Sequence, residues 1–415
     1  MEGHEKYIAA LKKVWVWVKL NFTAEMASAR KIRRPSLTDI KTASKTFQKI
    51  VSKTNSVRLL IIKVFRLIVA AFLRQNLRKK LICFFSLLVL ISLIATKHFH
   101  TLYYGPNVIK NYHLFIHDGN NFESIVKLLK ENNCLEDIKS FRQIARLKDY
   151  DVNIRPGAYI LETGWSNNEL INRLRSGAQT PVMVTFNNVR TREDLAGKLA
   201  KQLQSDSLSF LTVFRNDSIA LNLGFQPETL PALFIPNTYS IFWTTTPMGF
   251  LTRMKREYEQ FWNEARRLKA KTLGLTTVQV ATLASIVQEE SNKNDEKPII
   301  AGVYLNRLKK NWPLQADPTI RFALGDYSIH RILTDQLSVE SPYNTYKNIG
   351  LPPGPINMPE ISSLDAILNY RVHDFFYFCA KEDFSGYHNF ARTLFEHNNN
   401  ARKYQAALNK LKVFK

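Results

Sequence analysis

The uncharged segment LICFFSLLVLISLIAT, residues 81–96, constrains the fold of this chain more than any other feature. None of its residues carries a charge, and Lys79, Lys80 and Lys97 bracket it. About 20 apolar residues cross the hydrocarbon core of a bilayer, and flanking lysines extend a shorter segment by reaching the interface. A buried helix of a soluble domain fits less well, because the segment is apolar on every face and also lies beside Arg74, Arg78, Lys79 and Lys80. We therefore predict one membrane-spanning helix over residues 81–97.

The distribution of charge predicts how this helix is oriented. Residues 1–80 contain 19 Lys and Arg against 4 Asp and Glu, so they carry +15 of the formal net charge of +23. Positively charged flanks stay in the cytoplasm. The pattern predicts a single-pass protein, with residues 1–80 as a basic cytoplasmic segment and residues 98–415 outside the cytoplasm.

The basic segment also limits the partners that are expected. A nucleic-acid partner does not fit a basic arm that runs directly into a membrane anchor, whereas anionic lipids or a cytoplasmic protein remain open. Residues 59–73 are apolar as well, but Lys63 and Arg66 interrupt them. We interpret this stretch as an interfacial basic helix; a second span would invert the topology.

Residues 98–181 predict a small α/β domain. Alternating residues predict strands over 112–117 and 157–161, and helical spacing of apolar residues predicts helices over 123–132, 140–148 and 167–177. This order resembles a LysM-like glycan-binding fold, while a plain spacer domain explains it equally well.

Residues 182–415 predict a second, mixed α+β domain that begins after Pro181. A strand is expected over 182–186, an amphipathic helix over 191–203 and one longer helix over 249–270. No group of His and Cys residues has the spacing of metal ligands, so no metal and no other cofactor is expected.

The stretch LASIVQEESN, residues 283–292, presents two adjacent carboxylates at the end of an apolar helix. Thr276 and Gln279 have the spacing of a capping box, so the helix should begin near residue 277. At ~100° per residue, Glu290 lies at the edge of the buried face, whereas Glu289 points nearly the opposite way. Glu289 is therefore interpreted as a solvated carboxylate. Partial burial near a helix C-terminus should raise the pKa of Glu290, as a general acid requires.

The following segments predict a polar cleft around this helix end. A further helix is expected from Pro298 to about Asn311, capped by Asn294 or Asp295. A Pro-limited turn and a loop rich in Tyr, Pro and Gly, residues 341–356, should form walls suited to sugar rings. A hairpin over 375–398 should form another wall. The candidate cleft residues are Gln315, Asp317, Asn344, Thr345, Tyr346, His388, Phe390 and His397.

Several motifs in fixed order resemble those of the YceG-like family of endolytic murein transglycosylases. The motifs are ASIVQEES (284–291), VYLNRL (303–308), LQADPT (314–319), YNTY (343–346), GLPPGPI (350–356) and the H-x-F…HN ending (388–398). The resemblance implies a single-pass inner-membrane protein with a LysM-like domain ahead of a catalytic domain. It also implies that Glu290 is the catalytic acid and that the other candidates position the glycan.

The resemblance implies a reaction that needs one carboxyl group. Glu290 would cleave the bond between N-acetylmuramic acid and N-acetylglucosamine in nascent peptidoglycan and leave a 1,6-anhydro end, beside peptidoglycan synthases. Three departures from the family pattern are Gln288 in place of Glu, Ala316 in place of Thr, and Asn389 in place of Thr. Gln288 removes any support that a second carboxylate at that position would give.

The residues by themselves leave two other functions open. A glycoside hydrolase would use a second carboxylate about 5–10 Å from the first, and Asp317 is the candidate on motif grounds. A non-catalytic glycan-binding protein of the cell wall would not depend on Glu290 at all.

Overall fold

The computed structural model describes residues 62–63, 77–329 and 331–410. The chain divides into two compact units, Met1–Lys97 and His98–Lys415. Nearly all of the predicted basic segment, including most of the proposed interfacial helix at 59–73, lies outside the described residues. Every candidate site residue belongs to the second unit.

Helix α1, Leu77–Tyr104, contains the apolar segment. Within the part of the chain that the structure describes, Leu81–Tyr104 is the one helix that is by itself long and apolar enough to cross a membrane. The helix ends later than predicted because no helix-breaking residue occurs before Gly105 and Pro106. The predicted apolar helix is confirmed.

The first part of the second unit has the predicted order of strands and helices. Its elements are β1 (Tyr112–Ile116), α2 (Phe122–Glu131), α3 (Ile138–Leu147), β2 (Gly157–Leu161) and α4 (Asn167–Ser176). Strands β1 and β2 pair antiparallel, with Leu114 opposite Tyr159. Helix α4 ends at Gly177, whose φ of 70° is the left-handed conformation that glycine adopts at low cost. The residues of this region bury a hydrophobic cluster of their own.

The rest of the unit forms a larger α+β region around a second hydrophobic cluster. It begins with β3 (Val182–Phe186), α5 (Arg192–Ala200), α6 (Ser207–Phe214), α7 (Asp217–Asn222) and β4 (Asn237–Ile241). Strands β3 and β4 pair antiparallel. The mixed α+β class predicted from the sequence agrees with this architecture.

The single long helix predicted over 249–270 is wrong. Two helices occupy this stretch, α8 (Pro247–Phe261) and α9 (Glu264–Thr272). The break falls at Asn263, whose side chain accepts a hydrogen bond from the Arg266 backbone N–H and so starts α9 as an N-cap.

Helix α10, Thr277–Glu290, begins where its capping box predicts. Thr276 and Gln279 exchange both hydrogen bonds of the box, at 2.8 and 3.1 Å. The helix is buried from Val280 to Val287. It packs against helices α11 (Lys297–Lys309), α12 (Asp317–Leu324) and α13 (Ile361–Leu368). Its last three residues, Gln288–Glu290, are half-buried.

The predicted cap of α11 is wrong, whereas the hairpin predicted over 375–398 is confirmed for its paired strands but ends at Ala391, before a helix. The N-cap of α11 is Glu296, not Asn294 or Asp295. Strands β5 (Tyr377–Ala380) and β6 (His388–Ala391) pair antiparallel. The chain then enters α14 (Leu394–Lys410).

Two helical glycines test the packing of residues 182–410. A Cβ at Gly197, in α5, would meet no atom within 4 Å, so Gly197→Ala should raise the free energy of unfolding by about 0.5–1 kcal/mol. A Cβ at Gly302, in α11, would lie 2.5 Å from the Arg371 carbonyl oxygen and from the His373 ring. Gly302→Ala should therefore lower the free energy of unfolding by about 1–3 kcal/mol.

The measurement is urea unfolding of the detergent-solubilised chain, followed by far-ultraviolet circular dichroism. Helix propensity alone predicts that both substitutions raise the free energy of unfolding. Stabilisation by Gly302→Ala would contradict the packing of α11 against the segment that contains Arg371.

Candidate active site

Glu290 is the last residue of α10 and faces a cavity of about 320 Å³. The side chain is half-buried, and protein atoms closely surround its carboxyl group. Tyr304, buried in α11, donates a hydrogen bond from its hydroxyl to Glu290 Oε1 at 2.6 Å. The cavity is lined by Glu290, Tyr304, Arg307, Gln315, Asp317, Tyr346, Tyr377, Phe378, Leu394 and His397.

The surroundings of Glu290 raise the pKa of its carboxyl group to about 7. Burial is the largest cause, because removal from water penalises the charged form. The negative charge of Asp317 raises the pKa further, while the Tyr304 hydrogen bond and the charges of Arg321 and Arg307 oppose the shift. A carboxyl group with this pKa is part protonated near neutral pH and can act as an acid and then as a base.

Asp317 reaches the cavity from the first turn of α12. Its Oδ1 accepts a hydrogen bond of 2.5 Å from the Tyr346 hydroxyl. Burial and this carboxylate raise the pKa of Tyr346, so the phenol stays protonated as a donor. Gln315 lines the same wall with a φ of 51°, a left-handed conformation that is uncommon outside glycine. The structure therefore brings Gln315, Asp317 and Tyr346 together with Glu290.

Asn344 and Thr345 are not among the residues that line the cavity, and their contact with substrate stays a prediction. Both are buried, at 0% and 1% exposure. The Asn344 amide donates to two carbonyls of its own loop and accepts from the Tyr346 backbone N–H. The Thr345 hydroxyl accepts from the Ala316 backbone N–H at 3.0 Å. These bonds join the two loops and fix Tyr346 beside Asp317.

His388 and Phe390 are not among the residues that line the cavity, and their contact with substrate stays a prediction. The His388 ring Nδ1 and backbone N–H both contact the buried carboxylate of Glu296, each at 2.7 Å. Phe390 packs against Phe378.

Glu296 connects the hairpin to helix α10. It accepts a hydrogen bond of 3.1 Å from the hydroxyl of Ser291, the residue that follows Glu290 and caps α10. With its bonds to His388, one buried carboxylate links the end of α10 to β6. Buried charges of this kind are tolerated only when they are fully hydrogen-bonded.

His397 lines the cavity, as predicted. Its ring lies 5.4 Å from that of Tyr377 and nearly parallel to it. Burial, and then the nearby Arg307, lower the pKa of the imidazole, so it is neutral near pH 7. Its Nδ1 is buried and has no hydrogen-bond partner among residues 77–329 and 331–410.

Glu289 is not the solvated carboxylate that the sequence analysis predicts. Arg190 binds it with two hydrogen bonds, at 3.0 and 3.3 Å, and Asn357 donates a third at 2.9 Å. Its neighbour Gln288 accepts a hydrogen bond from the Glu360 backbone N–H at the start of α13. These carboxylate and amide groups hold the helix in place and do not line the cavity of Glu290.

Sequence analysis missed several residues of the cavity: Tyr304, Arg307, Tyr377, Phe378 and Leu394. Tyr304 and Arg307 are three apart in α11 and so share one face, a signal that the VYLNRL motif contains. Arg307 donates to the carbonyls of Phe376 and Leu314, at 2.7 and 2.6 Å. No local pattern reveals these long-range bonds.

Comparison with known proteins places this geometry in context. The sequence profile of the YceG-like family matches residues 114–403. A protein of Bacillus subtilis named endolytic murein transglycosylase is 28% identical over 309 residues, covering 71% of this chain and 85% of the relative. A protein of the same name from Streptococcus pneumoniae D39 is 27% identical and covers 64% of this chain, which spans 53% of that relative's length.

A solved structure is also similar. A YceG-like protein of Listeria monocytogenes aligns with a TM-score of 0.46 at 25% identity, covering 70% of this chain and 99% of the solved one.

The raised pKa of Glu290 makes stability depend on pH. The pKa is 4.5 for the unperturbed group and about 7 in the folded protein, so the folded state binds this proton more tightly. Protonation of Glu290 therefore adds up to about 3 kcal/mol to the free energy of unfolding below about pH 4.5. This stabilisation is lost as pH rises through about 7. The variant Glu290→Gln has no such loss.

We therefore expect the stability difference between Glu290→Gln and wild type to shift in favour of the variant between pH 5 and pH 8.5. Urea unfolding at both pH values measures it. An equal difference at the two pH values would mean that Glu290 titrates as an ordinary surface carboxyl.

Proposed function

The chain belongs to the YceG-like family, and we propose that it is an endolytic murein transglycosylase. The names of its relatives support this reaction. The observation that carries the proposal is a carboxyl group of pKa about 7, Glu290, at the inner wall of a polar and aromatic cavity.

In the proposed reaction, Glu290 first acts as an acid. It donates its proton to the glycosidic oxygen between N-acetylmuramic acid and N-acetylglucosamine, and the bond from that oxygen to the muramyl anomeric carbon breaks. The resulting carboxylate then takes the proton of the muramyl 6-hydroxyl as its oxygen attacks the same carbon. One chain end becomes a 1,6-anhydro ring, Glu290 regains its proton, and no water is consumed.

The neighbours of Glu290 have distinct proposed roles. The Tyr304 hydroxyl donates a hydrogen bond to Oε1 and orients the carboxyl group, which leaves Oε2 to face the glycosidic oxygen. Asp317 stabilises positive charge that develops at the anomeric carbon, held in place by Tyr346. Gln315 and the neutral ring of His397 bind hydroxyl or acetamido groups of the sugars.

Helix α1 supports a proposal for where the reaction occurs. A single apolar helix preceded by a basic segment fits an inner-membrane anchor with a cytoplasmic N-terminus. Residues 98–181 would be a LysM-like domain, and residues 182–415 would form the catalytic domain outside the cytoplasm. Anchored there, the enzyme would cut nascent strands close to the membrane, beside peptidoglycan synthases, and so terminate their polymerisation.

A hydrolase is the second candidate, because Asp317 is a second carboxylate in the same cavity. It would activate a water molecule or attack the anomeric carbon, as in two-carboxylate glycosidases. The product distinguishes the two reactions, since hydrolysis adds one water and leaves a reducing end.

Purified full chain in detergent should convert peptidoglycan to fragments with 1,6-anhydro ends, which weigh one water less than hydrolysed ends. Glu290→Gln should lower the rate by at least about 10³-fold, because the amide cannot donate the proton. Mass spectrometry of the fragments measures both quantities. The exposed carboxylate of Glu259, on α8, provides a matched control, and Glu259→Gln should retain wild-type activity.

Hydrated ends that disappear in Asp317→Asn would instead establish the hydrolase. Retained glycan binding with no cleavage by wild type would leave only the glycan-binding protein.

The pH dependence of kcat/KM should report the pKa of Glu290 and fall as pH rises through about 7. Asp317→Asn removes a charge that raises this pKa, so the fall should move to lower pH. Tyr304→Phe removes a hydrogen bond that lowers it, so the fall should move to higher pH. Shifts in the same direction, or no shift, would contradict the electrostatics of the site.

A further inference from the structure

Trp312 is an exposed aromatic residue that the proposed reaction does not use. It follows α11, and 41% of its surface is exposed. The turn that carries it is fixed on both sides by Arg307. The Arg307 carbonyl accepts from the Trp312 backbone N–H at 2.9 Å, and the Arg307 side chain donates to the Leu314 carbonyl at 2.6 Å. The indole is therefore presented on a rigid turn.

The Trp312 ring continues the aromatic wall of the cavity outward. Its centroid lies 5.0 Å from that of Phe376 and 6.3 Å from that of Tyr377. Tyr377 also lines the cavity of Glu290 and stacks on His397. We call Trp312, Phe376 and Tyr377 the Trp312 platform; it shares Tyr377 with the catalytic cavity.

The size of the cavity indicates what covers this platform. A volume of about 320 Å³ is at the lower end of the ~300–1,000 Å³ typical of small-molecule sites. An endolytic substrate is a polymer, so most of the strand must lie outside the cavity. Pyranose rings have an apolar face of C–H groups, which pack favourably on the electron-rich face of an aromatic ring.

We propose that the Trp312 platform is an outer subsite that binds a further sugar ring of the glycan strand. The inference rests on the proposed transglycosylase function and extends it to substrate length. Only a strand that extends beyond the cavity reaches the platform, so the platform favours long strands over short ones. The preformed aromatic surface loses little conformational entropy on binding.

Binding is tested in the Glu290→Gln background, so that strands are not cut. The probes are uncrosslinked oligomers of alternating N-acetylglucosamine and N-acetylmuramic acid, a tetrasaccharide and a dodecasaccharide, titrated calorimetrically into the full chain in detergent. Trp312→Ala should weaken dodecasaccharide binding by about tenfold and tetrasaccharide binding much less. Trp312→Phe keeps a stacking face and should retain most of the affinity.

The matched control is Phe242, whose side chain is 52% exposed and lies outside the cavity lining. Phe242→Ala should leave both affinities unchanged. If Trp312→Ala fails to fold, Trp312→Gln is measured in its place, with the same expected loss.

Equal dodecasaccharide affinity in parent and variant would overturn the subsite. So would a change in oligomeric state on sedimentation with sugar binding unaffected, because the platform would then bind a second copy of the chain.

Kinetics separate this inference from the proposed function. With Glu290 intact, Trp312→Ala should raise KM for long strands about tenfold and leave kcat close to wild type. Wild-type cleavage with a KM that does not depend on Trp312 would overturn the subsite alone. A wild-type protein that forms no anhydro ends would overturn the proposed reaction.

Discussion

The hydrogen bond between Tyr304 and Glu290 is the contact around which the site is organised. It joins the end of α10 to the middle of α11 and holds a carboxyl group where burial raises its pKa to about 7. A carboxyl group on a surface helix end would stay ionised at neutral pH. Burial inside a packed group of helices gives the chain an acid, and the hydrogen bond keeps that acid oriented.

Buried polar groups support this arrangement from several directions. Arg307 binds the carbonyls at the ends of two wall segments, and Asn344 with Thr345 closes the loop behind Tyr346. Glu296 links the end of α10 to the hairpin. Such groups contribute little net stability, since desolvation offsets their bonds, but any other arrangement would leave a buried charge or amide unpaired. They specify one geometry for the walls of the cavity.

Local signals in the sequence predicted what local forces decide. The capping box of Thr276 and Gln279 located the start of α10, and the helical phase from there separated Glu290 from Glu289. The same reasoning failed where a partner lies far along the chain. Glu289 was assigned to solvent because its partner Arg190 lies 99 residues away. Nothing in the neighbourhood of His388 points to its hydrogen-bond partner Glu296, 92 residues before it.

The sequence by itself determined the apolar helix α1, the positions of most helices and strands, and the place of Glu290 at the end of α10, since each depends on residues within a few turns. Only the tertiary structure decided which polar residues face the cavity. Asp317 and His397 reach it, while Asn344 and Thr345 are buried, because these orientations depend on how α12, α14 and the loops pack against α10. The pKa of Glu290 belongs to the same category: it comes from burial and from charges on other elements, which exist only after the chain has folded.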